Sequence, residues 1–305
     1  MQIREILSNK YLKVGFLVVL LTLLAALPHF TRPYTMIMFS SIMMYVILTV
    51  SWTIFSGYTG YISLASAAFF GVGIYAAAVW GGEWPMFLVL LWAGILGFVL
   101  ATFVGAITLR LRGVYFTIFT LGLIELVRRL VLWWEINQVG TRGRYVVRMD
   151  SQEVFYYMLA VTVLLLLVVY LIKHSRFGMA LVNIGECEDA AAHVGINVTQ
   201  VKILAFSLSA FFMSIAGAIM ATRWSYIDPY IAFNPNYSFF PVLMAIFGGM
   251  SNLSGPVIGA VIFAYLQETL ITRFPYQYML IFGTIMVITI MYLPQGLAGL
   301  YKKMR

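Results

Sequence analysis

The sequence predicts an all-α, polytopic membrane protein, and three observations carry that reading. Apolar residues make up 62% of the 305-residue chain and charged residues only 10%, against roughly 25% charged and 45–50% apolar in soluble domains. The apolar residues fall into successive runs, most of them near the ~20 residues that cross a bilayer as a helix. The interruptions between runs are short and rich in Gly, Pro or charge, leaving no room for a soluble domain.

Ten runs follow one another, at about 13–28, 36–56, 61–80, 86–109, 114–134, 153–173, 203–222, 238–250, 254–272 and 277–293. Ser8, Asn9, Lys10 and Lys13 precede the first, and no convincing small-residue cleavage site follows it, so it reads as a retained helix. The third run carries Gly71, Gly73, Ala76, Ala77 and Ala78, and the ninth Gly255, Gly259 and Ala260. Small residues in these patterns let helix backbones approach closely. Glu125, Arg128 and Arg129 in the fifth run stand at i, i+3 and i+4, which brings carboxylate and guanidinium to one helix face. Ionisable groups at membrane depth are functional suspects; the competing reading is a structural ion pair or snorkelling toward the outer interface. Glu268, near Arg273, carries the same ambiguity. The eighth run is too short to cross alone, and its Pro241, Gly248 and Gly249 mark a broken or re-entrant segment.

The longest polar interruption runs from Lys173 to Lys202. Within it, Glu188, Asp189, Ala190, Ala191 and Ala192 form an acidic-start, alanine-rich turn, suited to the positive end of a helix dipole. Gly195 stands where a helix C′ residue with positive φ belongs.

Basic residues orient the chain. With the N-terminus inside, the cytoplasmic segments hold Arg4, Lys10, Lys13, Arg110, Arg112, Lys173, Arg176, Lys202, Lys302, Lys303 and Arg305, and the external ones Arg32, Arg142, Arg144, Arg148, Arg223 and Arg273. The positive-inside rule favours this orientation, with both termini and the Lys173 to Lys202 stretch in the cytoplasm. Topology and anionic lipid therefore account for the net charge of +8, without nucleic acid.

Several chemistries lack a sequence basis. No Gly-x-x-x-x-Gly-Lys-Ser/Thr is present, so ATP has no P-loop in this chain. His29, His174 and His193 lie far from any Cys or Asp cluster with ligand spacing, which argues against a metal site. No Ser/His/Asp or paired-carboxylate set suggests catalysis. The single cysteine, Cys187, fits a reducing cytosolic face.

Two glycine-rich junctions, Gly57 to Tyr75 and Gly248 to Ala260, each join a polar turn to a small-residue helix start. Discontinuous helices at corresponding points of two halves are common in transporters, although tight packing turns account for the spacing equally well. At these residues the chain resembles the permease subunits of branched-chain amino acid ABC importers, the LivM type. The resemblance continues through Leu111 to Phe116, Ser175 to Gly178, Ala190 to Val198 and Lys202 to Phe206, and covers about residues 40–295. Ala65-Ser66 stands where the family usually carries Gly-His, and the segment around Gly140 to Gly143 follows its equivalent only loosely.

The resemblance implies a single permease domain over residues 1–305, a cobalamin-importer-like fold and a cytoplasmic coupling segment at 174–202. Within that segment Glu188, Asp189, Ala190, Ala191, Ala192 and Gly195 would seat in a partner ATPase. Gly57, Gly60, Ser63, Ser66, Glu125, Gly248 and Gly249 are the candidate translocation-path or gating residues. The chain itself would bind no cofactor, ATP and Mg residing on two cytoplasmic ATPase subunits. A homologous permease, an extracytoplasmic solute-binding protein and membrane lipid complete the expected partners. The expected solute is a small polar one, a branched-chain amino acid above all, with urea, amides or aromatic and other small carboxylates also within the family. The alternative is an ion-coupled secondary transporter acting alone.

Overall fold

A computed structural model describes residues 26–28, 31–111, 113–250 and 254–292. The first apolar run, at 13–28, lies almost wholly outside these residues, as do Arg112 and the basic residues of both termini. The chain folds as helices α1 (Pro33–Trp52), α2 (Ser66–Trp80), α3 (Met86–Thr108), α4 (Val114–Trp134), α5 (Ser151–Lys173), α6 (Arg176–Glu186), α7 (Glu188–His193), α8 (Val198–Ala221), α9 (Pro229–Ala232), α10 (Asn236–Gly248), α11 (Ser254–Arg273) and α12 (Tyr278–Tyr292). A π-helical turn, Thr53–Gly57, extends α1, and another, Glu135–Val139, extends α4. Strands β1 (Arg144–Tyr145) and β2 (Tyr226–Ile227) pair antiparallel, Arg144 opposite Ile227.

Among the described residues, five helices are long and apolar enough to cross a membrane: α1 with its π turn, α3, α5, α8 and α11. The other expected crossings differ from this for particular reasons. α4 has 21 residues but carries Glu125, Arg128 and Arg129. α2 and α10 have 15 and 13 residues, about 22 and 20 Å at a helical rise of ~1.5 Å, short of a hydrocarbon core of about 30 Å. The third run, expected from residue 61, becomes helical only at Ser66, since Gly60 takes a φ of +73° and the backbone stays irregular from there to Ala65. The eighth run is helical over Asn236–Gly248 and ends on Gly249, whose φ is +88°.

The two short helices meet at their N-termini. The Ala67 N–H, in the first turn of α2, donates to Ser238 Oγ, in the first turn of α10, at 2.8 Å. Phe70 and Tyr237 pack one turn further on, ring centroids 4.5 Å apart. Ser238 is fully buried.

α8 is the central helix, packed against α2 and α3 and also against α1 and α5. Glycine permits this closeness at two facing positions. A Cβ on Gly73 would overlap the Ser214 carbonyl, and one on Gly217 the Phe70 carbonyl, so α2 and α8 touch backbone to backbone. Ser214 Oγ also donates to the Phe69 carbonyl at 2.9 Å.

At the end of the bundle holding β1 and β2, Glu135 is buried. It accepts from Tyr75 Oη at 3.1 Å and from the Gly143 N–H at 3.0 Å, pinning the turn after α4 onto α2. Arg142 pairs with Asp228 at 3.2 Å on the same side.

The polar stretch at the opposite end forms two helices where the sequence suggested one. Ser175 Oγ accepts from the Gly178 N–H at 3.2 Å and starts α6, whose Gly178, Leu181 and Ile184 are buried at threefold spacing. Cys187 then takes an extended conformation and α7 begins. The last helix of the stretch also starts early, because Asn197 caps Gln200 at 3.2 Å and α8 begins at Val198 rather than 203. Lys202, counted above as a cytoplasmic charge, therefore lies inside α8 and is only 2% exposed.

Candidate functional site

The residues from Gly60 to Ala65 leave the helical hydrogen-bond ladder at one end of the bundle, and irregular backbone survives at membrane depth only if its polar groups are satisfied. Neighbouring side chains do this. Trp52 Nε1 donates to the Ser63 carbonyl at 2.7 Å, and Thr117 Oγ1 to the Ile62 carbonyl at 2.9 Å. Thr120 Oγ1 accepts from the Leu64 N–H at 3.0 Å. Ser56 Oγ accepts from the Ser63 N–H, and Ser63 Oγ from the Ala65 N–H, both at 3.3 Å. The broken segment is thus held chiefly by side chains on α1 with its π turn and on α4.

The same segment is bonded to α7. Tyr61 Oη donates to Glu188 Oε2 at 2.7 Å, and Lys202 Nζ reaches Glu188 Oε1 at 2.6 Å. Lys202 Nζ also donates to Tyr61 Oη at 3.3 Å and lies 4.4 Å from the centre of the Tyr61 ring. One carboxylate therefore ties the first residue of α7 to the broken segment and to the central helix. A buried ammonium needs such a partner. Tyr61 is held in turn by ring contacts with Phe116 at 5.6 Å and Phe55 at 6.4 Å. Gly185 of α6 makes a second junction, for a Cβ there would overlap the Tyr58 carbonyl.

α7 closes as the sequence reading expects. Gly195 has a φ of +90°, its N–H donates to the Ala192 carbonyl at 3.0 Å, and the Ile196 N–H to the Ala191 carbonyl at 3.1 Å. These are the paired bonds of a Schellman cap. The six residues assigned to an ATPase contact face two ways. Asp189, Ala190 and Ala192 are exposed, together with His193 and Val194, whereas Ala191 is 3% exposed and Glu188 points into the bundle.

The candidate path residues are distributed rather than gathered. Ser63 and Ser66 border a narrow crevice beside the start of α2. Gly57 lines a separate cavity of about 430 Å³ with Tyr58, Lys173, Asn183, Met250 and Pro256, at the end of the bundle where α6 and α7 lie. Gly60 provides the positive φ of the break. Gly248 lies where a Cβ would overlap the Gly255 carbonyl, and with Gly249 it forms the turn from α10 toward α11. Glu125 is paired with Arg128 and, at 2.7 Å, with Arg129 on a partly exposed face of α4. Arg128 covers Tyr230 at 4.6 Å, which fits the structural ion-pair reading of this trio.

Sequence reasoning missed Tyr61, Lys202, Gly185 and Ser238. Tyr61 and Lys202 lay inside quoted motifs, and the available signal was a lone lysine followed at once by an apolar run. Among the described residues no group of three or more His, Cys, Asp or Glu side chains could hold a metal ion.

Residues 34–290 match the family described as branched-chain amino acid transport system / permease component. The chain is similar to the high-affinity branched-chain amino acid transport system permease protein LivM of Escherichia coli strain K12, 27% identical over 92% of this chain and 74% of that protein. It also resembles LivH of the same organism, 26% identical over 42% of this chain and 41% of that protein. The ribose import permease protein RbsC of that organism matches at 31% identity over 33% of each chain. No solved structure matches. With a family match spanning almost every described helix, and with apolar helices long enough to cross a membrane, the chain is a multi-pass membrane protein and belongs to the branched-chain amino acid transport permease family.

Proposed function

We propose that this chain is a transmembrane subunit of an ATP-binding-cassette importer for a small polar solute, a branched-chain amino acid in the first instance. It pairs with a homologous permease in a heterodimer, takes solute from an extracytoplasmic binding protein and is driven by two cytoplasmic ATPases that hold the ATP and Mg. In this reading the membrane is the bacterial inner membrane, both termini are cytoplasmic and the chain contributes about ten membrane segments in a cobalamin-importer-like arrangement. The chain is not itself a catalyst.

The observation that supports this reading best is the Tyr61, Glu188, Lys202 cluster. α7 is a short helix with an exposed face of Asp189, Ala190, Ala192 and Val194, suited to seat in a groove of another protein. Glu188 at its root grips the broken segment and the central helix. A push on α7 is therefore delivered to a place where a membrane helix is interrupted, through the Tyr61 hydrogen bond, and to the central helix through the Lys202 charge pair, rather than through a loop. The Gly185 contact with Tyr58 gives α6 a parallel route. ATP-driven closure of the ATPases displaces α7, and the broken segment shifts between its side-chain supports, switching access from outside to inside.

Reconstitution tests this directly. The chain co-expressed with its neighbouring ATPases, second permease and binding protein is expected to take up radiolabelled leucine only with ATP and all partners present. Uptake by this chain alone, driven by a proton or sodium gradient, would establish the secondary-transporter alternative.

A further inference from the structure

The crevice beside the start of α2 is bordered by four serines, Ser56, Ser63, Ser66 and Ser209, set among aromatic walls that include Phe69 and Phe206. Their hydroxyls are unequally employed. Ser209 Oγ donates to the Phe206 carbonyl at 2.7 Å. Ser56 and Ser63 act as acceptors for backbone N–H groups, and neither donates a bond to any described residue. Ser66 is 1% exposed and its Oγ has no partner among the described residues. Each hydroxyl carries one donor hydrogen. Three donors thus border one crevice without an acceptor, and no charged residue lines it.

The surrounding backbone has the same sign. Ser66 is the first residue of α2, where the helix dipole is positive, and α10 also starts there, through the Ala67 bond to Ser238. The nearby acceptors are occupied: the Ser63 carbonyl takes Trp52 Nε1 and the Phe69 carbonyl takes Ser214 Oγ. The unused donor hydrogens and the positive helix start therefore suit an acceptor with a hydrocarbon body.

We infer that Ser66, with Ser56 and Ser63, forms an intramembrane subsite for the carboxylate of an aliphatic amino acid in transit, the aromatic walls receiving its side chain. The inference rests on the importer reading above. The crevice as it stands has no space for even a water molecule, so occupancy requires its walls to part. Ser63 belongs to the broken segment that Glu188 holds through Tyr61, so the movement that displaces α7 also opens the crevice.

The test uses the assembled importer in proteoliposomes, with leucine as probe. Ser66→Ala is expected to lower leucine carried per ATP hydrolysed by about tenfold, the effect of one lost hydrogen bond to a charged group, and Ser66→Thr to restore part of it. Ser63→Ala reports the same subsite if Ser66→Ala fails to assemble. In a Cys187→Ala background, Ser66→Cys is expected to resist a small anionic methanethiosulfonate at rest, to react during ATP-driven turnover, and to be protected by excess leucine. Wild-type leucine import combined with normal coupling in the alanine variants, or with a cysteine unreactive in turnover, overturns the subsite alone. Import of urea or ribose in place of any carboxylate also overturns it. A wild-type assembly that imports nothing overturns the importer reading and the subsite together.

Discussion

Glu188 and Lys202 form an ion pair of 2.6 Å across fourteen residues of sequence, joining the first residue of α7 to the second turn of α8. The lysine is almost wholly buried and the carboxylate partly exposed. Breaking a buried pair from one side strands the other charge, at a cost of about 3–5 kcal/mol. Glu188→Gln is therefore expected to loosen α7 and to uncouple ATP hydrolysis from uptake while membrane insertion persists. Hydrogen exchange across residues 188–196 checks the loosening, and unchanged protection there would refute it. Lys202→Met with Glu188→Gln removes both charges and is expected to recover much of the protection.

Tyr61 is the third member of this cluster, and its hydroxyl rather than its ring reaches Glu188. Tyr61→Phe keeps the contacts with Phe55 and Phe116 but loses a hydrogen bond to a charged group, about 1.5–3 kcal/mol. The expected result is a complex of nearly normal abundance whose uptake per ATP falls several-fold. A role in packing alone predicts no such change in the ratio.

Gly195 closes α7 with a φ of +90°. Proline there fixes φ near −65° and removes the N–H bonded to the Ala192 carbonyl. Gly195→Pro should abolish ATP-driven uptake without blocking insertion, and uptake at the wild-type rate would sink the coupling role of α7. The buried Ala191 gives a different outcome from its exposed neighbours. Ala191→Glu should unseat α7 from the bundle, whereas Ala190→Glu should leave the helix in place and weaken ATPase association, measured by co-purification.

The close approach of α6 to the broken segment rests on Gly185. Gly185→Leu forces the helix away from Tyr58, and overpacking of this kind costs about 1–3 kcal/mol. Lowered thermal stability together with slowed uptake is expected; a variant as stable and active as wild type would show that the contact is dispensable.

Ser238 satisfies the Ala67 N–H where the two short helices meet. Ser238→Ala leaves that buried donor unmade at a cost of about 1–3 kcal/mol, and Ser238→Thr restores the acceptor. The melting temperature of the purified complex should fall in the first variant and recover partly in the second.

The membrane character, most helix positions and the Gly195 cap were legible because they depend on composition, on apolar run length and on local backbone preference. The sequence also pointed to both glycine-rich junctions, and the structure shows irregular backbone at each. It could not show that Glu188 faces inward, because a carboxylate at a helix start is equally at home in solvent, and its partners stand far away in sequence at Tyr61 and on another helix at Lys202. Glu125 is the converse case: its partners Arg128 and Arg129 lie within one turn of the same helix, so their pairing was legible from the i, i+3 and i+4 spacing. What the sequence alone determined was a chain of membrane helices with a capped polar excursion, since hydrophobic burial and local dihedral preference are properties of neighbouring residues. What only the tertiary structure decided was that this excursion is bonded to the break before α2 and to α8, because a long-range hydrogen bond and charge pair depend on which side chains packing brings together.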